Sequence, residues 1–167
     1  MSAGTRTMGF SKAAVVVIAA IALTRSAISA EYSPQVWINP GLYSYHFERN
    51  KNFRDNNVGA GVEVLLAKNH GVMAGTFINS DRARSRYVAY QWRPLHWEPF
   101  ESFSVIAGVV LGAFDGYPRM RNGDWFVAPL PLLAVEGKRF GANFTVVPKY
   151  GDRLHGAVAI QLKLKVW

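Results

Sequence analysis

Beyond residue 40 the chain alternates between apolar and small or polar positions with a period of two. In Leu42-Tyr43-Ser44-Tyr45-His46-Phe47-Glu48 one face carries Tyr43, Tyr45 and Phe47, and the other carries Ser44, His46 and Glu48. Successive side chains of a strand point to opposite faces, so this spacing predicts β-structure. Val58 to Val64 repeats the scheme with Gly59, Gly61 and Glu63 on the second face. Arg86 to Arg93 sets Val88, Tyr90 and Trp92 against Tyr87, Ala89 and Gln91. Ala157 to Lys165 sets Val158, Ile160, Leu162 and Leu164 against Ala157, Ala159, Gln161 and Lys163.

Eight such segments are expected, at about 41–48, 58–67, 71–79, 86–93, 102–114, 125–136, 141–150 and 156–166. Most have the roughly 9–11 residues that a tilted strand needs to cross a bilayer. An even number of antiparallel strands closes without free edges, and eight is the smallest barrel of the outer-membrane class. The fold expected is therefore all-β, an eight-stranded antiparallel transmembrane barrel. Lys68-Asn69-His70-Gly71 and Gly137-Lys138-Arg139-Phe140 read as tight turns. Residues 49–57, 80–85, 115–124 and 151–155 read as longer polar loops, and residues 94–102 read as one long connection on the tight-turn side. Trp37, Tyr43, Tyr45, Phe47, Tyr90, Trp92, Trp97, Trp125, Phe126 and Trp167 cluster near strand ends, in the manner of an interfacial girdle. Trp167 is one residue out of phase with the outward series Val158 to Val166. Alternation by itself also suits a soluble lipid-binding barrel whose apolar face is its core.

The N-terminus differs. Arg6 and Lys12 precede the apolar run Ala13 to Leu23, and the small stretch Ser26 to Ala30 follows it. This order predicts a secretory signal peptide over residues 1–30, cleaved after Ala30 or after Ser29, with one barrel domain over 31–167. Eleven apolar residues are short for a helical span of about 20, which an uncleaved anchor would need. Cleavage would remove Arg6, Lys12 and Arg25 and lower the net charge from +8 to +5. The chain has no cysteine, so the stapling common in small exported domains is absent. A closed barrel in lipid supplies an alternative, because its backbone groups are all paired within the sheet. The expected location is the outer membrane of a Gram-negative bacterium, as a monomer. No metal, nucleotide or flavin motif is present, so no cofactor is expected. Export and alternation also argue against nucleic acid as the target of the basic charge.

Trp92-Arg93-Pro94-Leu95, Pro129-Leu130-Pro131-Leu132-Leu133, and Val147-Pro148 followed by Tyr150 occur in an order and spacing that resemble the PagP-like family of lipid A palmitoyltransferases. The resemblance runs over the whole exported chain and is best from Trp92 onward. It implies an outer-membrane barrel that moves an acyl chain from phospholipid to the lipid A of lipopolysaccharide. It further implies that Pro129, Pro131 and Pro148 form a lateral gate for that chain. Proline cannot donate to a sheet ladder, so prolines on neighbouring strands would leave unpaired backbone in the wall. Pro40 sits where the family has a second gate proline, but Asn56-Asn57-Val58 lacks its partner.

The family carries a histidine on its first strand and an Asp-Ser pair after its third. His46 and Ser80 match, Asn79 stands where the acidic residue is expected, and Asp81 follows directly. An ester transfer needs a proton acceptor and a polarised carbonyl. By the resemblance, His46 would be the base or orienting group, with Ser80 and Asn79 or Asp81 assisting. Glu48 shares the face of His46 and is placed to orient its ring. Tyr87 stands at the family's chain-measuring position, where a small residue is usual, and would shorten or fill the acyl pocket. Arg82, Arg84 and Arg86 bracket this region and suit lipid phosphates, as arginine forks do. A non-catalytic barrel with a packed lumen, serving a structural, lipopolysaccharide-binding or adhesion role, fits the same pattern.

Overall fold

The computed structural model describes residues 32–167, of which Ser33–Trp167 form one compact unit. The signal peptide expected over residues 1–30 lies outside the described residues. Eight antiparallel strands make a closed barrel in sequence order: β1 (Gln35–His46), β2 (Asn56–Ala67), β3 (His70–Ile78), β4 (Arg84–Phe100), β5 (Phe103–Phe114), β6 (Phe126–Gly137), β7 (Phe140–Val147) and β8 (Ala157–Lys165). Closure comes from β1 pairing with β8. The all-β barrel and its strand number are those expected from the alternation.

Two strands are longer than their patterns indicate. β1 starts at Gln35, with a register shift between Asn39 and Gly41 that absorbs Pro40. Gly41 takes φ +110°, and a Cβ there would meet the backbone of Asn57 and Gly59. The bulge interrupts the period, which hides the first half of the strand. The long connection expected over residues 94–102 does not exist. β4 runs on to Phe100 through a register shift after Trp92, and only Glu101 and Ser102 separate it from β5. Pro94 and Pro99 are tolerated because this stretch has no β3 partner: that ladder ends at the His70–Trp92 pair. With this correction, all short turns lie at one end of the barrel and all longer loops at the other.

The faces sort as the alternation predicts. Ser44, His46, Glu63, Tyr87, Ala89, Gln91, Ala157, Ala159, Gln161 and Lys163 are buried inside. Tyr43, Tyr45, Val58, Val62, Val88, Tyr90, Trp92, Val127, Leu133, Val146 and Leu162 are exposed outside. Exposed aromatics gather at both ends, Tyr43, Tyr45, Phe47 and Trp125 towards the long loops, Trp97, Phe100, Phe140 and Trp167 towards the short turns. Trp37 and Phe126 depart from the expected girdle, since both point inward and are buried. Trp167 regains the outward phase through a bulge. The Val36 carbonyl accepts from both Val166 N–H (2.8 Å) and Trp167 N–H (3.2 Å), so two residues oppose one.

The wall's ladder is interrupted between β1 and β8, where no residues pair between Ile38–Leu164 and Tyr43–Ile160, and it stops short between β6 and β7. β6 pairs with β5 along its whole length, from Phe126 to Gly137, but with β7 only from Leu132 to Glu136. The carbonyl of Pro131 faces β7, where the Thr145 hydroxyl donates to it at 2.6 Å. Backbone groups of an antiparallel strand alternate sides with period two. The missing N–H groups of Pro129 and Pro131 therefore both fall on the β7 side, and the β5 ladder is untouched.

Candidate functional site

His46 ends β1 and points into the long-loop mouth of the barrel, where it is 5% exposed. Its Nδ1 lies 3.0 Å from Asp55 Oδ1. A carboxylate only accepts, so Nδ1 is the donor of this bond. Nε2 has no hydrogen bond among the described residues. Asp55 is also held by Arg49 Nη1 at 3.0 Å, and the His46 hydrogen bond keeps its carboxyl below the usual range. Asp55 thus orients the imidazole, a partner not apparent in the sequence.

Glu48 does not have the role expected of it. β1 stops at His46, so the period of two no longer applies two residues on. Glu48 instead accepts from Lys149 and from His155 Nδ1, the latter at 2.7 Å. These bonds, that from Lys149 foremost, lower its carboxyl to about 2. His155 Nε2 lies 2.9 Å from Arg119 Nη1, so both of its ring nitrogens are engaged. Phe53 is sandwiched between the two imidazoles, with ring centroids 4.7 Å from His46 and 4.6 Å from His155. The second histidine lies 109 positions from the first, and only the barrel's closure brings them together.

Ser80 and Asp81 line the same cleft as His46, with Tyr117 and His155. Asn79 does not. Its amide donates to Ser85 Oγ (2.9 Å) and the Gly116 carbonyl (2.8 Å), and its Oδ1 accepts from the N–H groups of Asp81 and Ala83, each at 3.0 Å. Every hydrogen-bonding group of that side chain is committed. Its work is to shape the turn that carries Ser80 and Asp81, and in that turn Arg82 takes φ +63°.

Directly below the cleft lies a cavity of about 80 Å³, lined chiefly by Leu42, Met73, Phe77, Ala89, Val110, Phe114, Leu130 and Leu132. Cleft and cavity share neighbouring positions of the same strands: Ala157 and Val147 above, Ala159 and Thr145 below. Two residues of strand rise separate them, about 6–7 Å. Leu130, Leu132 and Thr145 also border the β6–β7 gap, where Pro129, Pro131 and Pro148 are exposed on the outer face. Tyr87 lines the cavity, and its hydroxyl lies 3.3 Å from Gln161 Nε2 and 3.4 Å from Asn39 Oδ1.

Of the three arginines, Arg82 and Arg84 are exposed at the rim, and their side chains have no partner among the described residues. Arg86 is bound to Asp115, with Nε donating to Oδ2 at 2.7 Å, and its guanidinium lies over the Trp125 ring at 5.5 Å. No group of metal-binding side chains occurs among the described residues. No protein-family model matches the chain, and no curated protein matches it either.

Proposed function

We propose that this protein is an outer-membrane barrel that admits a phospholipid acyl chain through the β6–β7 gap and transfers it to lipid A. The observation that carries the reading is the stacking of a polar histidine cleft on an apolar cavity that borders a gap in the wall. An ester carbonyl held at the cleft would place its hydrocarbon tail in the cavity below. His46 Nε2 would take the proton of the attacking lipid A hydroxyl and return it to the departing lysophospholipid oxygen. Asp55 would hold the ring and stabilise the imidazolium between those steps. Ser80, with Asp81, is the nearby group able to orient the carbonyl, while Asn79 acts through the turn it shapes. Arg82 and Arg84 are free to meet lipid phosphates.

Membrane placement is supported by the inverted distribution of side chains. Aliphatic residues face out, charges face in, and aromatic residues border both ends, which is the arrangement of a lipid-facing barrel. An N-terminal signal peptide is the matching route of export. A non-catalytic outer-membrane barrel is the second reading, and one observation favours it: the cavity is small, with Tyr87 across it. Mass spectrometry of lipid A from cells with and without the protein decides between them. Catalysis requires an added acyl mass that disappears in His46→Ala. An unchanged lipid A profile under strong expression refutes it.

A further inference from the structure

Beneath the apolar cavity the lumen is crossed by four charges from alternate strands. Lys163 of β8 donates to Glu63 of β2 at 2.6 Å and to Glu136 of β6 at 2.7 Å, and Arg93 of β4 donates to Glu136 at 2.6 Å. Each pair skips one strand. Lys163 passes 4.8 Å above the Trp37 ring to reach Glu63, and crosses Gly141 to reach Glu136. Lys163 and Glu63 are wholly enclosed, whereas Glu136 is slightly exposed.

The layer separates two spaces. Above it, Gln91, Asn143 and Gln161 floor the apolar cavity, and Asn143 donates to Glu63 at 2.7 Å. Below it, Glu136 lines a polar cavity of about 330 Å³ that opens at the short-turn end beside Glu98 and Lys165. Several buried polar atoms within and around the layer lack a hydrogen-bond partner among the described residues: Arg93 Nε and Nη1, Gln91 Oε1, Asn143 Oδ1 and Asn39 Nδ2. Buried groups of this kind are ordinarily satisfied by water. Arg93 stands out, because a fully buried guanidinium uses only one of its three nitrogens, and a fork of this type binds a carboxylate with two.

We propose that this layer is a latch across a lumenal path for small ions, closed in this structure. In the open arrangement Arg93 takes Glu136 with two nitrogens, Lys163 retires to Glu63, and the tie across the lumen is released. The geometry supplies both partners for each state, so no charge is left alone in either. The inference rests on the barrel spanning a bilayer, and it is independent of acyl transfer.

The test is single-channel recording of purified, refolded protein in planar phospholipid bilayers in potassium chloride. Insertion is scored separately by co-flotation of the same preparation with liposomes. Lys163→Ala leaves one positive and two negative groups in the layer, and should raise the conducting fraction at least tenfold with preference for potassium. Glu136→Gln leaves two positive and one negative, and should conduct with preference for chloride. Reversal of selectivity between the variants is the result expected of a latch. Closed traces from both variants in preparations that co-float would overturn the proposal, and so would the same unselective leak from both. Failure of the unsubstituted protein to co-float would instead remove the membrane reading on which it rests.

Discussion

The Tyr87 hydroxyl occupies the space that a side chain at Gly61 would need. Asn39, Gly61, Gly75 and Tyr87 lie in one row across β1 to β4, and the tyrosine ring reaches over both glycines towards Asn39. A Cβ built on Gly75 would come within 2.7 Å of the hydroxyl, and one on Gly61 closer still. The glycines are therefore the seat of the tyrosine, and the size of the cavity follows from this packing.

Gly61→Ala should destabilise the barrel by about 1–3 kcal/mol, the usual range for overpacking. Tyr87→Phe removes the nearest atom and should recover part of that loss, since residues in contact couple by about 0.5–3 kcal/mol. Equilibrium urea unfolding of the two single variants and the double variant measures this. Additive effects would mean that the hydroxyl is not what the glycine accommodates.

The two histidine–carboxylate pairs should separate in function. Asp55→Asn should lower acyl transfer about 10²–10⁴-fold, the usual weight of positioned acid–base groups. His46→Ala should do at least as much. Glu48→Gln should leave transfer within a few-fold of the parent, because Glu48 serves His155 rather than His46. Single-turnover transfer from a radiolabelled phospholipid compares them. Equal losses at Glu48 and Asp55 would show that the loop cluster acts through its shape alone.

The prolines of β6 set how far its ladder with β7 extends. Replacing Pro129 and Pro131 by Val restores two N–H donors on the β7 side. The ladder should then grow towards Val146 and Val147, with a gain of about 0.5–1.5 kcal/mol for each added hydrogen bond. Hydrogen exchange should show new protection in both strands, and lipid entry should slow. Unchanged exchange would mean that the gap has another cause.

The long-loop mouth should loosen in acid. The carboxyls of Glu48 and Asp55 are both lowered on folding, by Lys149 and His155 in the first case and by His46 and Arg49 in the second. A lowered carboxyl contributes stability that is complete above its unfolded value and is lost as pH falls through the folded one. For Glu48 that window runs from 4.5 down to about 2. Proteolysis of the loops should accelerate across it, and Glu48→Gln should flatten the Glu48 part of the profile. A profile unchanged in Glu48→Gln would assign the effect elsewhere.

Much of the barrel was legible because period two survives in a wall with one oily and one small or polar face. Legibility failed where a bulge broke the period, at Pro40 and after Trp92, and where a large aromatic residue points inward, at Trp37. His46, Ser80 and Asp81 were readable and do share a cleft. Asp55, Phe53 and His155 were not, because their roles depend on a strand ending and on loops meeting across the mouth. The pairing of Glu63 with Lys163 was equally hidden: both are inward residues, but only the register says that they meet.

That the lumenal charges sit on β2, β4, β6 and β8 bears on how the chain assembles. No hairpin of neighbouring strands contains a matched pair, so a sheet of fewer than three strands carries these ions unpaired. Lys163 belongs to the last strand, and until it arrives Glu63 has no cation and Glu136 has only Arg93. Stranded carboxylates of this kind are severely penalised away from water. The completed cylinder is thus strongly preferred over any open precursor, and the final seam is the event that makes the whole sheet hold.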